Sequence, residues 1–345
     1  MADKDFDVVG LGNAIVDVVA HTEDGFLEEA GLVKGAMTLV DEARCLELYE
    51  RLGPAHEVSG GSCANTMAAL ASLGGRAAFV GRVRDDELGH IFIHDIRAAG
   101  VHFTTPPSPE GPPTARCLVL VTPDAQRTMA TYLGACVELS PADLDPDLLA
   151  RARILYLEGY LWDRPEAKAA CLEAARIVRE SGGRVALTLS DPFCVDRWRE
   201  EFRDLVDGPV DILFANEAEI TSLYRTASFA QALAAVRGRV TVAALTRSAK
   251  GSVVVTDGAT VEIPAFPPTE LVDTTGAGDL YAAGFLRGLT GGLDVATAGR
   301  LGALCASIVI AQWGARPTRP LRPLWERVAG GAAAQPPKRS GTGGG

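Results

Sequence analysis

The segment "DTTGAGDLYAAGF", residues 273–285, sets two threonines, two glycines and two acids ahead of an apolar run. Glycine costs a helix interior about 1 kcal/mol relative to alanine, so Gly276 and Gly278 at a helix start serve something other than helix stability. Without Cβ atoms nearby, the amides of Gly276, Ala277 and Gly278 stand open, and the helix macrodipole adds partial positive charge. Such a terminus suits an anion, most often a phosphate. Asp279 would only repel that anion if it were a passive neighbour. It fits a group that takes a proton from an attacking hydroxyl while the amides hold the charge developing on a phosphoryl group. The structural alternative is a glycine-rich turn with Asp279 as a helix-start acid, worth a few tenths of a kcal/mol to any helix.

Other residues fit the same chemistry. Asp17 follows an apolar run at a strand end, where a carboxylate can accept two hydroxyl hydrogen bonds, each about twice as strong as a neutral one. Gly60 and Gly61 permit close backbone approach of a ligand, and Asn65 offers a donor and an acceptor on the following helix. Tight helix packing through Ala64, Ala68 and Ala71 explains the same glycines equally well. Asn216 and Glu219 are spaced i, i+3, which places both on one helical face. A magnesium ion that keeps most of its waters needs only one such carboxylate plus phosphate oxygens. The alternative is Asn216 capping the helix with Glu219 in solvent. Arg127 suits either a phosphate clamp or a solvated surface. Leu133, Ala135 and Tyr160 offer an apolar slot with one aromatic for a base-like group, and the same residue types suit a core.

These residues need elements to hold them. From about Arg153 onward, short apolar strands ("RILYLEG", "RVALTLS", "VDILFAN", "VTVAALT") alternate with helical segments ("RPEAKAACLEAARIVRESGG", "VDRWREEFRDLV", "EAEITSLY"). That alternation predicts a parallel sheet covered on both faces. Ligands of such sheets bind outside the carboxyl ends of the strands, which directs attention to Gly159, Ser190, Asn216 and Thr246. In the first 140 residues, "FDVVGLG" and "AAFVGRV" read as strands, and "GGSCANTMAALASLGG" and "DDELGHIFIHDIRAAG" as helices. Residues 15–20, 36–40, 115–121 and 126–132 have strand character with no helix between them, which predicts a small antiparallel sheet outside the main one.

Composition bounds the function. The 345 residues are 47% hydrophobic and 22% charged, with a net charge of -11, which argues against nucleic acid or an anionic membrane as partner. Seven scattered cysteines without a C-x-x-C pair predict a reduced, cytoplasmic chain. The acidic N-terminus is not a signal peptide, and no apolar stretch of about 18 residues is present. Residues 329–345, rich in Gly, Ala and Pro, are expected to be a disordered tail. "GLGNAI" has Ile15 where a dinucleotide fingerprint needs its third glycine, and no P-loop motif occurs.

Taken together, the motifs resemble the ribokinase-like (PfkB) carbohydrate kinase family. "DTTGAGDLYAAGF" resembles its second signature, "GGSCANTMAALASLGG" its first, "GLGNAIVDVVA" its N-terminal strand and "NEAE" its N-x-x-E motif, in the right order between about residues 7 and 317. The resemblance implies a three-layer α/β/α domain over residues 1–328, with a predominantly parallel central sheet and a small β-sheet lid from about 15–40 and 114–135. It implies ATP-dependent phosphorylation of a primary hydroxyl, with Asp279 as base and the amides of Gly276, Ala277 and Gly278 as anion hole. Asn13, Asp17, Gly60, Gly61 and Asn65 would hold the acceptor. Arg127, Asn216, Thr246 and Gly251 would meet the nucleotide, with Asn216 and Glu219 near Mg2+. Asp273 and Thr275 match part of the family's monovalent-cation site, which admits potassium. "TYLGACVELSPADLD", "LSDPF" and "GARP" most resemble the members that act on adenosine, implying AMP and ADP as products. A sugar kinase for ribose, fructose or a keto-sugar acid is the near alternative, and a non-catalytic nucleoside sensor the far one. Both a monomer and a homodimer stay open.

Overall fold

The computed structural model describes residues 4–331 apart from residue 125. The first part of the chain carries β1 (Phe6–Leu11), β2 (Ile15–His21), α1 (Asp24–Glu29), β3 (Met37–Leu39), α2 (Glu42–Glu50) and β4 (Ala55–Gly60). Next come α3 (Ser62–Ser72), β5 (Ala77–Val80), α4 (Glu87–Ala98), β6 (Ala115–Val121) and β7 (Arg127–Tyr132). The alternating part is α5 (Pro146–Ala150), β8 (Ala152–Glu158), α6 (Pro165–Glu180), β9 (Arg184–Thr188), α7 (Pro192–Asp207), β10 (Ile212–Asn216) and α8 (Glu217–Tyr224). It closes with α9 (Phe229–Val236), β11 (Val242–Thr246), β12 (Ser252–Thr256), β13 (Thr260–Ile263), α10 (Ala277–Thr290), α11 (Val295–Val309) and α12 (Arg322–Ala329).

The main sheet has eight strands in the order β13-β12-β11-β10-β9-β8-β1-β5. All pairs from β11 to β5 are parallel; β12 and β13 add antiparallel at one edge. Successive strand residues point to opposite faces. Ile154 and Tyr156 of β8 therefore enter one core layer with Met67, Phe79 and Phe285, while Leu155 and Leu157 enter the other with Trp162 and Phe202. Helices cover both layers, which makes the fold a ribokinase-like three-layer α/β/α sandwich.

The second sheet has the order β3-β7-β6-β2-β4. It corrects the antiparallel expectation, because β2 pairs parallel with β6 and β3 parallel with β7. The reason is connectivity. Only β6 and β7 are joined by a hairpin; β2 and β6 are separated by α3, β5 and α4, which belong to the main domain. The fifth strand, β4, and the helices α1 and α2 were not expected. Both helices are short, and they cover one face of this sheet through Leu27, Cys45 and Leu48 against Val18, Leu118 and Ala130. Asp17 alternates onto the other face, with Ile15 and Val19. The predicted tail falls mainly on residues 332–345, which lie outside the described residues, and α12 runs to Ala329. Among the described residues no helix is long and apolar enough to cross a membrane.

Candidate active site

Gly276 is the N-cap of α10 with φ 77°, the left-handed region that favours glycine. A Cβ there would also lie 2.7 Å from the Cα of Ala315, a backbone atom that cannot give way. The Ala277 amide donates to the Thr274 carbonyl at 3.3 Å. The amides of Gly276, Gly278 and Asp279 make no hydrogen bond among the described residues, so the open set differs from the expected one in a single member, Asp279 in place of Ala277. A Cβ on Gly278 would meet nothing within 4 Å, which places that residue against open space.

Asp279 follows in the first turn. Its Oδ1 accepts from Ser62 Oγ at 2.7 Å and its Oδ2 from Asn65 Nδ2 at 3.4 Å. Burial pushes the carboxyl up to about 6, while Ser62, Asn65 and the Arg316 charge hold it down. Both donors sit in the first turn of α3, whose N-cap is Gly61 at φ 96°. A Cβ on Gly61 would stand 2.3 Å from the Asn13 carbonyl oxygen, so the two acceptor-side segments touch through backbone.

A glycine N-cap brings no capping side chain, and Glu158 supplies the acceptor from the end of β8. Its Oε2 accepts the Cys63 amide at 2.9 Å and its Oε1 the Asn13 amide at 2.7 Å. Glu158 is buried, and burial raises its carboxyl to about 7 against the pull of these two donors. It was missed in the sequence, although an acid closing the apolar strand "RILYLEG" was the available signal. Asp17 faces Gly60, where a Cβ would lie 2.4 Å from Oδ2. Its carboxyl is raised to about 6 by burial, with Arg316 and Arg127 opposing and Asp279 adding to the rise. Asn13 is buried with its Oδ1 unpartnered among the described residues.

A cavity of about 950 Å³ opens at the carboxyl ends of the parallel strands. Tyr160, Ser190, Asn216 and Thr246, at or just past the ends of β8, β9, β10 and β11, line it together with Gly278 and Asp279. Of the four expected strand-end residues, Ser190, Asn216 and Thr246 line the cavity and Gly159 does not. Asn216 and Glu219 are not side by side on a helical face. Asn216 is the N-cap of α8 and Glu219 its third residue, joined in a reciprocal capping box. Glu219 is nonetheless buried, not solvated, and faces the cavity. Each of its oxygens accepts one bond from Asn216 and keeps a free lone pair. No group of three or more His, Cys, Asp or Glu side chains gathers among the described residues. This donor set fits a hydrated magnesium ion reached through its waters, not a cage of protein ligands.

Gly251 lines the cavity at φ 84°. Leu133 and Ala135 do not line it; Ala135 is buried, and its amide donates to the Pro113 carbonyl at 2.8 Å. Tyr160 is the one member of the expected base slot that reaches the cavity. Arg127 and Asp273, expected to meet phosphate and a cation, meet each other at 2.9 Å with both side chains nearly buried. The Asp273 carboxylate also accepts the amides of Thr275 and Gly314, each at 3.0 Å. Ser62 and Arg316 were named only inside motifs; their contacts with Asp279 and Asn65 are non-local and left no pattern to find.

With Asp279 as proton acceptor, Asp17, Asp279 and Glu158 should make stability and turnover respond oppositely to pH. Their folded values of about 6, 6 and 7 lie above the ordinary carboxylate range near 4. A raised folded value means the native state binds protons more tightly. The resulting stabilisation is full below about pH 4 and is lost as pH rises through 6 to 7. The melting temperature should therefore be higher at pH 5.5 than at pH 8, while turnover falls through about pH 6 as Asp279 protonates. Calorimetry and initial rates on one buffer series check both; parallel trends would contradict the assignment.

The pfkB family carbohydrate kinase model matches residues 46–322. The crystal structure of adenosine kinase from Sinorhizobium meliloti superposes with a TM-score of 0.88 at 52% identity, covering 94% of this chain and 99% of that one. That of a probable sugar kinase from Rhizobium etli CFN 42 gives 0.88 at 50% identity, with 95% and 99% covered. Adenosine kinase 1 of Arabidopsis thaliana is 27% identical over 349 residues, 91% of this chain and 97% of its own length. The match extends over most of the chain and takes in the glycine-flanked helix starts that meet at Asp279. The chain belongs to the pfkB family of carbohydrate kinases, phosphotransferases with an alcohol group as acceptor.

Proposed function

We propose that this kinase transfers the γ-phosphoryl group of ATP to the 5'-hydroxyl of adenosine, giving AMP and ADP. The observation that carries the phosphotransfer is Asp279, a half-buried carboxylate beside the open amides of a helix start and facing a large cavity. The nucleoside acceptor is supported by the 52% identity to an adenosine kinase and by Tyr160 on the cavity wall.

In this account Asp17 and Asn65 hold the ribose hydroxyls, and the 5'-oxygen lies beside Asp279. As that oxygen bonds to the γ-phosphorus, its proton passes to Asp279 and the bond to the ADP oxygen breaks. Charge spreads over the equatorial phosphoryl oxygens, where the amides of Gly276, Gly278 and Asp279 can donate to them. Glu219 and Asn216 would hold hydrated magnesium at the cavity edge, which supplies charge neutralisation for the phosphates when bound. The Asp273 carboxylate is balanced by Arg127, and no step is routed through potassium.

A second acceptor class, free sugars, is favoured by the 50% identity to a probable sugar kinase and by the absence of Leu133 and Ala135 from the cavity lining. Product analysis tests the proposal. With adenosine and MgATP, chromatography should show AMP and ADP in equal amounts, and 5'-deoxyadenosine should yield neither. ADP formed at the same rate with 5'-deoxyadenosine would overturn it.

A further inference from the structure

The "GARP" segment enters the site from the chain's last quarter, and its arginine takes no step in the proposed transfer. We propose that Arg316 is a positioning residue: it fixes the amide of Asn65 so that Nδ2 is presented to Asp279, and it ties the lid strand β4 to that base. The proposal rests on the phosphotransfer reading of Asp279, whichever acceptor is used.

Arg316 Nε donates to Asn65 Oδ1 at 3.0 Å. A guanidinium has donors only, so Asn65 must turn its oxygen toward Arg316. Its NH2 group is thereby left facing Asp279 Oδ2, 3.4 Å away. An asparagine without that neighbour can flip, and the flipped amide would set oxygen against carboxylate. Arg316 Nη1 donates to Ser59 Oγ on β4, and the Ser59 amide donates to Asp95 Oδ2 on α4 at 3.1 Å.

The residues before Arg316 set its register. The Gly314 amide donates to Asp273, and the Ala315 backbone presses against Gly276. One short stretch thus braces the anion-hole loop, the first turn of α3 and the lid. Nη2 of Arg316 is buried and unpartnered among the described residues. The charged or titratable groups coupled to Asp279 are Arg316, Asp17 on β2, Cys63 on α3, and Tyr156, Glu158 and Tyr160 on β8 and after it. Arg316 is the one cation in that set.

The test compares Arg316→Met, Asn65→Ala and the double variant, using whichever acceptor the wild-type chain phosphorylates. Arg316→Met should lower kcat about 10²-fold, the scale of a misplaced catalytic group, and raise the acceptor KM as well, since Asn65 also holds the acceptor. The double variant should lose less than the product of the two single losses, because part of the arginine's effect passes through that asparagine. Guanidinium ion added to Arg316→Ala, below denaturing concentration, should restore part of the lost rate. If Arg316→Met does not fold, Arg316→Lys takes its place, since its single nitrogen cannot stand at both the Nε and the Nη1 positions. Unchanged kcat, a loss confined to KM, or losses that multiply in the double variant would each overturn the proposal. A wild-type chain inactive on adenosine but active on ribose would fail the nucleoside reading alone. Inactivity on every acceptor would remove both.

Discussion

Asp279→Asn should lose turnover by about 10²–10⁴-fold, the usual contribution of a positioned base, while binding changes far less. Aspartate and asparagine are nearly isosteric, so α10 should still start at Gly276 and Ser62 Oγ can still donate to the retained oxygen. The amide nitrogen that replaces Oδ2 cannot accept from Asn65 or take the acceptor's proton. Some activity above background should persist, because the open amides remain to meet the phosphoryl oxygens. Calorimetric affinities for ATP and adenosine, set beside kcat, make the check. A variant with near-native kcat would reduce Asp279 to a helix-start acid.

Gly278→Ala should separate catalysis from stability. A methyl there meets no protein atom, and the residue is the second of α10, where alanine is the better helix former by about 1 kcal/mol. The melting temperature should hold or rise. The same methyl would stand where phosphoryl oxygens must approach the amides, and losing such donors costs on the order of 10²–10³ in kcat. Turnover should therefore fall by about 10²-fold in a protein no less stable than the wild type. The neighbouring Gly276→Ala cannot make this separation, because its positive φ and the Ala315 backbone would strain the fold. Native turnover in Gly278→Ala would mean that the amides do not hold the phosphate.

What was legible in the sequence followed local physics. Continuous apolar runs gave β8 to β11, because strands buried on both faces need no polar alternation. Their carboxyl ends then placed Ser190, Asn216 and Thr246 at the cavity without any contact information. The lid was half legible. Strand character found β2, β3, β6 and β7, but their pairing depends on elements between them, and β4 "AHEVSG" is polar apart from Val58 and its terminal small residues. The spacing of Asn216 and Glu219 was seen correctly yet assigned to a helical face, where a capping box accounts for the same i, i+3 interval. Glu158 and Arg316 act across more than 90 residues of chain from their partners Cys63 and Asn65, so no window of sequence could join them.

Initial rates of ADP formation with adenosine, inosine, ribose, fructose and ketodeoxygluconate under one set of conditions decide whether adenosine is the acceptor. The cavity with Tyr160 beside Asp279 predicts the highest kcat/KM for adenosine, by a large factor over ribose. A higher kcat/KM for ribose, fructose or ketodeoxygluconate than for adenosine would contradict the account and make the chain a sugar kinase of the same family.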